Sequence, residues 1–208
     1  MGMGSRQKPW WHSSPACLVI APYLIQPAAV AYWPALHYWQ MTEQIPRITF
    51  VQSTKQKRPV EIHGMRFQFV AIRKEKFFGI LERSLNDKKF PVTDREKTLI
   101  DCAHRPELSG GSVQLAQALE TAYPEMDWPK LDSYLKRWGG GTVVKRLGYL
   151  VEGLKLPIPG REKRLAEWQK MLSRGISSLE PGAGQSGPVV TRWRLRVNVD
   201  TLSPEGLK

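Results

Sequence analysis

Asp87-Lys88-Lys89 is the stretch whose residue types come nearest to a catalytic pattern. Metal-dependent nucleases hold the ion with clustered carboxylates and stabilise developing charge with a lysine. Here Glu61 or Glu82 would have to join Asp87 and Lys89. A three-residue match of this kind arises often by chance and reads more simply as a charged loop, so no catalytic residue is assigned and the chain is not expected to be an enzyme. His12, His37, His63 and His104 stand without a partner at ligand spacing, and neither Cys17 nor Cys102 belongs to a Cys-x-x-Cys pair, so neither a metal site nor a cofactor is expected. The glycine-rich stretches 139–141 and 182–187 lack the consecutive lysine and serine of a phosphate loop. No Gly-x-Ser-x-Gly nucleophile elbow is present.

Positive charge is the stronger signal. The 208 residues carry 31 Lys/Arg against 19 Asp/Glu, a formal net charge of +12, which concentrates polyanions around the molecule. Residues 44–90 alone hold eleven Lys/Arg against four Asp/Glu, a net of +7. The candidate nucleic-acid contacts are Lys55, Lys57 and Arg58; Arg73, Lys74 and Lys76; and Arg192, Arg194 and Arg196. Lys88 and Lys89 form a further cluster. Each could meet phosphates, and three arginines on one face of a strand would track a backbone. Taken singly, each reads more simply as a wet turn or outward sheet face. Trp138 and Trp168 sit at core spacing in helices, which makes them packing rather than base-stacking residues.

These clusters must be held by elements whose periods are visible. Ala28 to Gln40 has helical aromatic spacing, with Pro34 in the first turn. After Pro46 the chain turns extended: Ile48-Thr49-Phe50-Val51, Val60-Glu61-Ile62, and Met65, Phe67, Phe69 and Ala71 at period two, with His63-Gly64 as a tight turn and Phe77 to Leu81 extending the sheet. Thr93-Asp94-Arg95-Glu96 has capping-box spacing, Thr93 and Glu96 serving each other's amides, ahead of a buried Leu99, Ile100, Cys102 and Ala103 stripe. Pro106 ends that helix, and Gly110-Gly111 turns into a second. Asp127 caps a third with Pro129 in its first turn, Thr142 starts a fourth, and Arg161 to Leu172 is a fifth. Val189 to Val199 alternates apolar residues with Arg192, Arg194 and Arg196, a strand packed on one side.

The expected fold class is therefore α+β: an N-terminal helix and antiparallel sheet, then a bundle of about five helices, with a C-terminal strand returning to the sheet. Its boundaries are a tail 1–16, a sheet part 17–92, a helical part 93–172, a flexible Gly/Ser linker 173–188, a final strand 189–199 and a tail 200–208. With 41% apolar residues the chain can bury a proper core. Two cysteines imply no disulfide framework. Leu18 to Leu36 is apolar, but Pro22, Pro27 and Pro34 interrupt it and its length barely reaches a membrane span, so a cytoplasmic protein without a membrane partner is expected.

Three ordered stretches resemble a known family. Tyr32-Trp33-Pro34-Ala35-Leu36-His37-Tyr38-Trp39-Gln40-Met41-Thr42-Glu43-Gln44-Ile45-Pro46-Arg47 resembles the helix-then-strand opening of the C-terminal domain of AbiEi-type antitoxins. Val92-Thr93-Asp94-Arg95-Glu96-Lys97-Thr98-Leu99-Ile100-Asp101-Cys102, followed by His104-Arg105-Pro106-Glu107-Leu108-Ser109-Gly110-Gly111, is similar to its central helix and Pro-Glu-Leu-x-Gly-Gly turn. Lys145-Arg146-Leu147-Gly148-Tyr149-Leu150-Val151-Glu152 resembles its Arg-Leu-Gly-Tyr-Leu segment. Together they span roughly residues 18–172. The resemblance implies a transcriptional regulator and antitoxin of a type IV toxin–antitoxin system, of the abortive-infection kind. Such a protein counters a nucleotidyltransferase toxin, without a stable complex, and represses its own operon. The family's winged helix-turn-helix is expected to be missing, since some sixteen residues precede the similar region and Trp10-Trp11 reads as a remnant of its wing. The family supplies no catalytic residues. The alternatives are a DNA-binding regulator with no antitoxin role and, behind it, the metal-dependent nuclease.

Overall fold

A computed structural model describes residues 16–202. The expected tails lie outside it, apart from Ala16, which opens a helix, and Asp200–Leu202; so does Trp10-Trp11.

The N-terminal half is a six-stranded sheet in the order β3-β4-β2-β1-β6-β5. Its strands are β1 (Ala29–Val30), β2 (Ile48–Ser53), β3 (Val60–Ile62), β4 (Met65–Ala71), β5 (Ile80–Leu85) and β6 (Lys88–Thr93). The expectation of a purely antiparallel sheet is corrected: β2 runs parallel to β4, and β1 parallel to β6. Both tight hairpins, β3–β4 at His63-Gly64 and β5–β6 at Asn86-Asp87, are antiparallel, and all four turn residues have positive φ, as two-residue hairpin turns require. The parallel pairs join strands that are not consecutive, which no local pattern reveals. Ala29-Val30 was expected to be helical; it is the fully buried β1 between β2 and β6, and the helix that follows is shorter, α2 (Trp33–Tyr38), with Pro34 in its first turn.

Helix α1 (Ala16–Leu24) lies on one face of the sheet, over Val30, Val51, Phe67, Phe90 and Val92. Among the described residues no helix is long and apolar enough to cross a membrane. The opposite face, with Phe50, Gln52 and Val70, meets the helical half: α3 (Arg95–His104), α4 (Gly111–Ala122), α5 (Trp128–Trp138), α6 (Thr142–Gly153) and α7 (Arg161–Lys170). All five expected helices form, and Cys102, Trp138 and Trp168 are core residues. Asp127 caps α5 by accepting from the Lys130 amide at 3.0 Å. The capping box ahead of α3 is corrected. Asp94 is the cap, accepting from the Lys97 amide at 2.8 Å, while Thr93 ends β6 and places its hydroxyl 2.8 Å from that of Thr98. Glu96 instead accepts from the Asp127 amide and pairs with Lys130 at 2.8 Å, joining α3 to α5.

The C-terminal strand pairs in a second, three-stranded sheet, β7-β9-β8, instead of returning to the first. The strands are β7 (Ser177–Ser178), β8 (Val189–Val190) and β9 (Leu195–Arg196). A 3₁₀ turn over Thr191–Trp193 and Arg194 at φ 48° fold 189–196 back on itself, so that Val189 pairs with Arg196 and Val190 with Leu195. Alternation of apolar and basic residues cannot distinguish this short hairpin from one long strand, because both bury Trp193 and Leu195. The expected linker 173–188 is correspondingly built into the fold in part: β7 lies in it, and Leu179 is fully buried.

Candidate nucleic-acid interface

Parallel pairing of β2 and β4 puts the carboxyl ends of both strands at one end of the sheet. Ser53 lies opposite Ala71, and the Ile72 amide donates to the Ser53 carbonyl at 2.9 Å. The loops that leave these ends carry Lys55, Lys57 and Arg58 on one side and Arg73, Lys74 and Lys76 on the other. Two of the three candidate clusters are thereby gathered. Helix α3 ends here as well, adding Arg105, whose guanidinium pairs with Glu107 at 2.8 Å and lines a groove of about 520 Å³ with Lys57 and Arg58. The rest of that groove is Gln56, Pro59, Phe69, Val70 and Ala71. Lys57 stands over the Phe69 ring, 5.4 Å from its centre, and its ammonium donates to the Leu24 carbonyl.

Lys76 lies 4.3 Å from the centre of the Trp138 ring, and Arg137 is 4.1 Å from that of Phe78, so the end of α5 extends the basic region. Among the described residues, none of the six gathered loop cations is in an ion pair. Two groups at this end have pKa values lowered by burial first and by neighbouring positive charge second. Burial, then Arg73 and Lys97, lowers the Lys76 pKa. Burial, then Lys76, Arg105, Arg146 and Lys97, pushes His104 down to about 4 and keeps its imidazole neutral. A surface that repels added positive charge in this way attracts anions.

The third cluster is elsewhere and is engaged. Arg192 pairs with Glu152 at 2.8 Å, Arg194 donates to the Ser173 carbonyl at 3.3 Å, and Arg196 donates to the Gly187 carbonyl at 3.2 Å. They do not line one face of a strand. Lys89 pairs with Glu82 at 2.7 Å at the opposite edge of the sheet, and Asp87 occupies a turn position at φ 60°, which accounts for its place in the sequence. Glu61 is paired with Arg66 on the far edge strands, so the three carboxylates do not converge. Among the described residues no group of three or more His, Cys, Asp and Glu could hold a metal ion.

Beneath the basic end lies a buried ion pair. Lys97 and Asp101, both fully buried, bond one turn apart on α3, and the Lys97 ammonium also reaches the Gln52 side chain of β2 at 3.4 Å. Burial raises the Asp101 pKa against the pull of Lys97. Arg146 of α6 donates to the Ala103, His104 and Ser178 carbonyls, at 2.7 Å for the first, and so satisfies the last turn of α3 and holds β7 to it. Burial pushes its pKa down to about 10. Sequence reasoning missed Arg105, Arg137 and Phe69 as members of the basic end. Arg137 sits in the final turn of α5 and Arg105 directly after α3, where a cation reads as a favourable end charge, and Phe69 looks like one more inward strand residue.

The fold is that of a mixed α+β protein with a cationic end on its larger sheet. It is similar to the RV2827C protein from Mycobacterium tuberculosis, with a TM-score of 0.58 over 87% of this chain at 16% sequence identity, a likeness of fold alone. The chain matches 66% of that protein's length, just under two thirds. No protein-family model matches the sequence, and no curated protein does.

Proposed function

We propose that this chain is the antitoxin and regulatory component of a type IV toxin–antitoxin system, opposing a nucleotidyltransferase toxin, and that it works by binding nucleic acid at the basic end of its larger sheet. The observation that carries the binding half is the gathering of Lys55, Lys57, Arg58, Arg73, Lys74 and Lys76 around the ends of two parallel strands, together with Arg105. The antitoxin half rests on the three ordered motifs, which supply α2 and the approach to β2, α3 with its turn into α4, and α6. A regulator without an antitoxin role is the second reading, favoured by the same cations.

Two measurements separate these readings. Binding to duplex DNA should weaken steeply as salt rises, with the logarithmic slope falling by roughly 0.9 for each phosphate contact removed. Reversing Lys55, Lys57 and Arg58 to Glu should flatten it, and reversing Arg192, Arg194 and Arg196 should not. Co-expression with the nucleotidyltransferase it accompanies should restore growth. Absence of salt-sensitive binding ends the nucleic-acid reading, and failure of rescue by soluble protein that still binds leaves the regulator alone.

A further inference from the structure

Strand β3 pairs with β4 only through Phe67, so Phe69 to Ala71 have a strand partner on the β2 side alone. Residues 56–59 swing past this open edge and leave between them the groove of about 520 Å³ that also reaches Arg105. We propose that this groove binds a single nucleic-acid strand, with an unpaired base against Phe69 and the flanking phosphates on Lys57, Arg58 and Arg105. The inference rests on the nucleic-acid reading above and narrows it to one class of ligand.

Alternation along β4 sends Phe69 to the α1 face of the sheet and Val70 to the α3 face, so a groove touching both follows the strand's edge and not either flat surface. An extended chain fits such a channel. A paired helix does not, because its bases are stacked inside and its backbone would rest on the rim. The ring of Phe69 already has a cation over it, the ammonium of Lys57 at 5.4 Å. The ammonium sits on an exposed four-carbon stem: by exchanging its bond to the Leu24 carbonyl for one to a phosphate it can leave the ring to a base, and single-strand binders likewise combine a cationic groove with aromatic platforms. Arg105 is braced by Glu107 at 2.8 Å, and a planar guanidinium held in place suits phosphate better than a mobile point charge. An acidic peptide would use the cations and leave the ring idle. A neutral apolar ligand would leave the charges of Lys57 and Arg58 unmatched.

The full chain should be titrated with a fluorescent oligothymidylate of about 12 nucleotides, within the site sizes of single-strand binders, and with a duplex of equal length. The single strand should bind more tightly. Phe69→Leu should weaken it about fivefold or more, the lower end of what one base–aromatic stack contributes, while duplex binding is unchanged; Phe69→Trp should restore it. Tighter duplex binding, equal loss on both ligands, or displacement by polyglutamate as effective as by unlabelled oligonucleotide overturns this proposal but leaves the broader reading standing. No salt-sensitive binding of either ligand removes both. Photocrosslinking of a bromouridine-bearing single strand to the unmodified protein gives a check that needs no variant. Crosslinks should map to 56–59 and 69–71, and crosslinks confined elsewhere refute the groove.

Discussion

Gly148 should be irreplaceable, for a reason that lies in the C-terminal segment. A Cβ built on it falls 2.2, 2.5 and 2.6 Å from three carbon atoms of the Trp193 indole. Carbon atoms in contact settle at about 3.5–4.0 Å, so the ring would have to retreat by more than an ångström. It has nowhere to go: Trp193 is fully buried and its indole N–H donates to Glu152 at 2.6 Å. Helix α6 cannot give way either, since Val144, Leu147 and Val151 are buried in the main core. If the ring stays, overpacking costs about 1–3 kcal/mol; if it leaves, the lost burial of a tryptophan costs about 3–5 kcal/mol. Alanine in a helix recovers about 1 kcal/mol over glycine. Gly148→Ala is therefore expected to lose stability by about 0–4 kcal/mol in urea unfolding followed by circular dichroism, the cost of either outcome less the helical gain. The cycle with Trp193→Ala is the sharper assay. Once the ring is gone the new methyl meets no obstacle, so the double variant should be more stable than Trp193→Ala by up to about 1 kcal/mol. If Gly148→Ala alone stabilises the protein, as a helical glycine-to-alanine change does in open space, Trp193 does not lie on α6 and the small sheet is not docked as described.

The buried pair supports a second cycle: Asp101→Asn or Lys97→Met alone should cost about 3–5 kcal/mol by stranding a buried charge, whereas Lys97→Met with Asp101→Leu should cost much less. Additive losses in the same unfolding assay would refute the pairing. His104 makes the third. With its folded pKa near 4 against an ordinary 6.5, it must be neutral to fit, so the stability it allows is present above pH 6.5 and is lost as pH falls towards 4. His104→Gln should flatten that part of the stability–pH curve in urea titrations at a series of pH values, and an unchanged slope would show the imidazole to be solvated.

Most of the helical half was legible because period and punctuation agree there. Asp127 with Pro129, Gly139 after Trp138, and Thr142 ahead of an apolar face each mark a boundary that the fold keeps. The sheet was legible as strands but not as an order. Nothing local in Ala29-Val30 says that it will lie between β2 and β6, nor in Pro91 that Lys88–Thr93 will be a strand at all. Of the nine cations singled out by charge clustering, six are brought together at the basic end. It failed for Arg192, Arg194 and Arg196 because alternation reports which side chains face inward, not which partner receives the others; those found Glu152 and backbone carbonyls.

The motif residues and the candidate binding residues are nearly disjoint sets, and the structure gives a mechanical reason for both. Lys97 joins α3 to Gln52 of β2, and Arg146 closes the last turn of α3 from α6. Gly148 admits the tryptophan that holds the small sheet. Each of these fixes where α3 ends relative to the ends of β2 and β4, and that relation is what brings Arg105 to the groove shared with Lys57 and Arg58. The cost is electrostatic. Two buried cations, Lys97 and Arg146, stand behind the loop cations and add, after burial itself, Lys76 and Arg105, to what keeps His104 neutral. A frame with only a structural task would gain by replacing such charges with apolar residues of similar volume. Lys97 is balanced by Asp101, but Arg146 is in no ion pair among the described residues, and its charge beneath a surface already crowded with lysine and arginine raises the positive potential where a polyanion would have to bind.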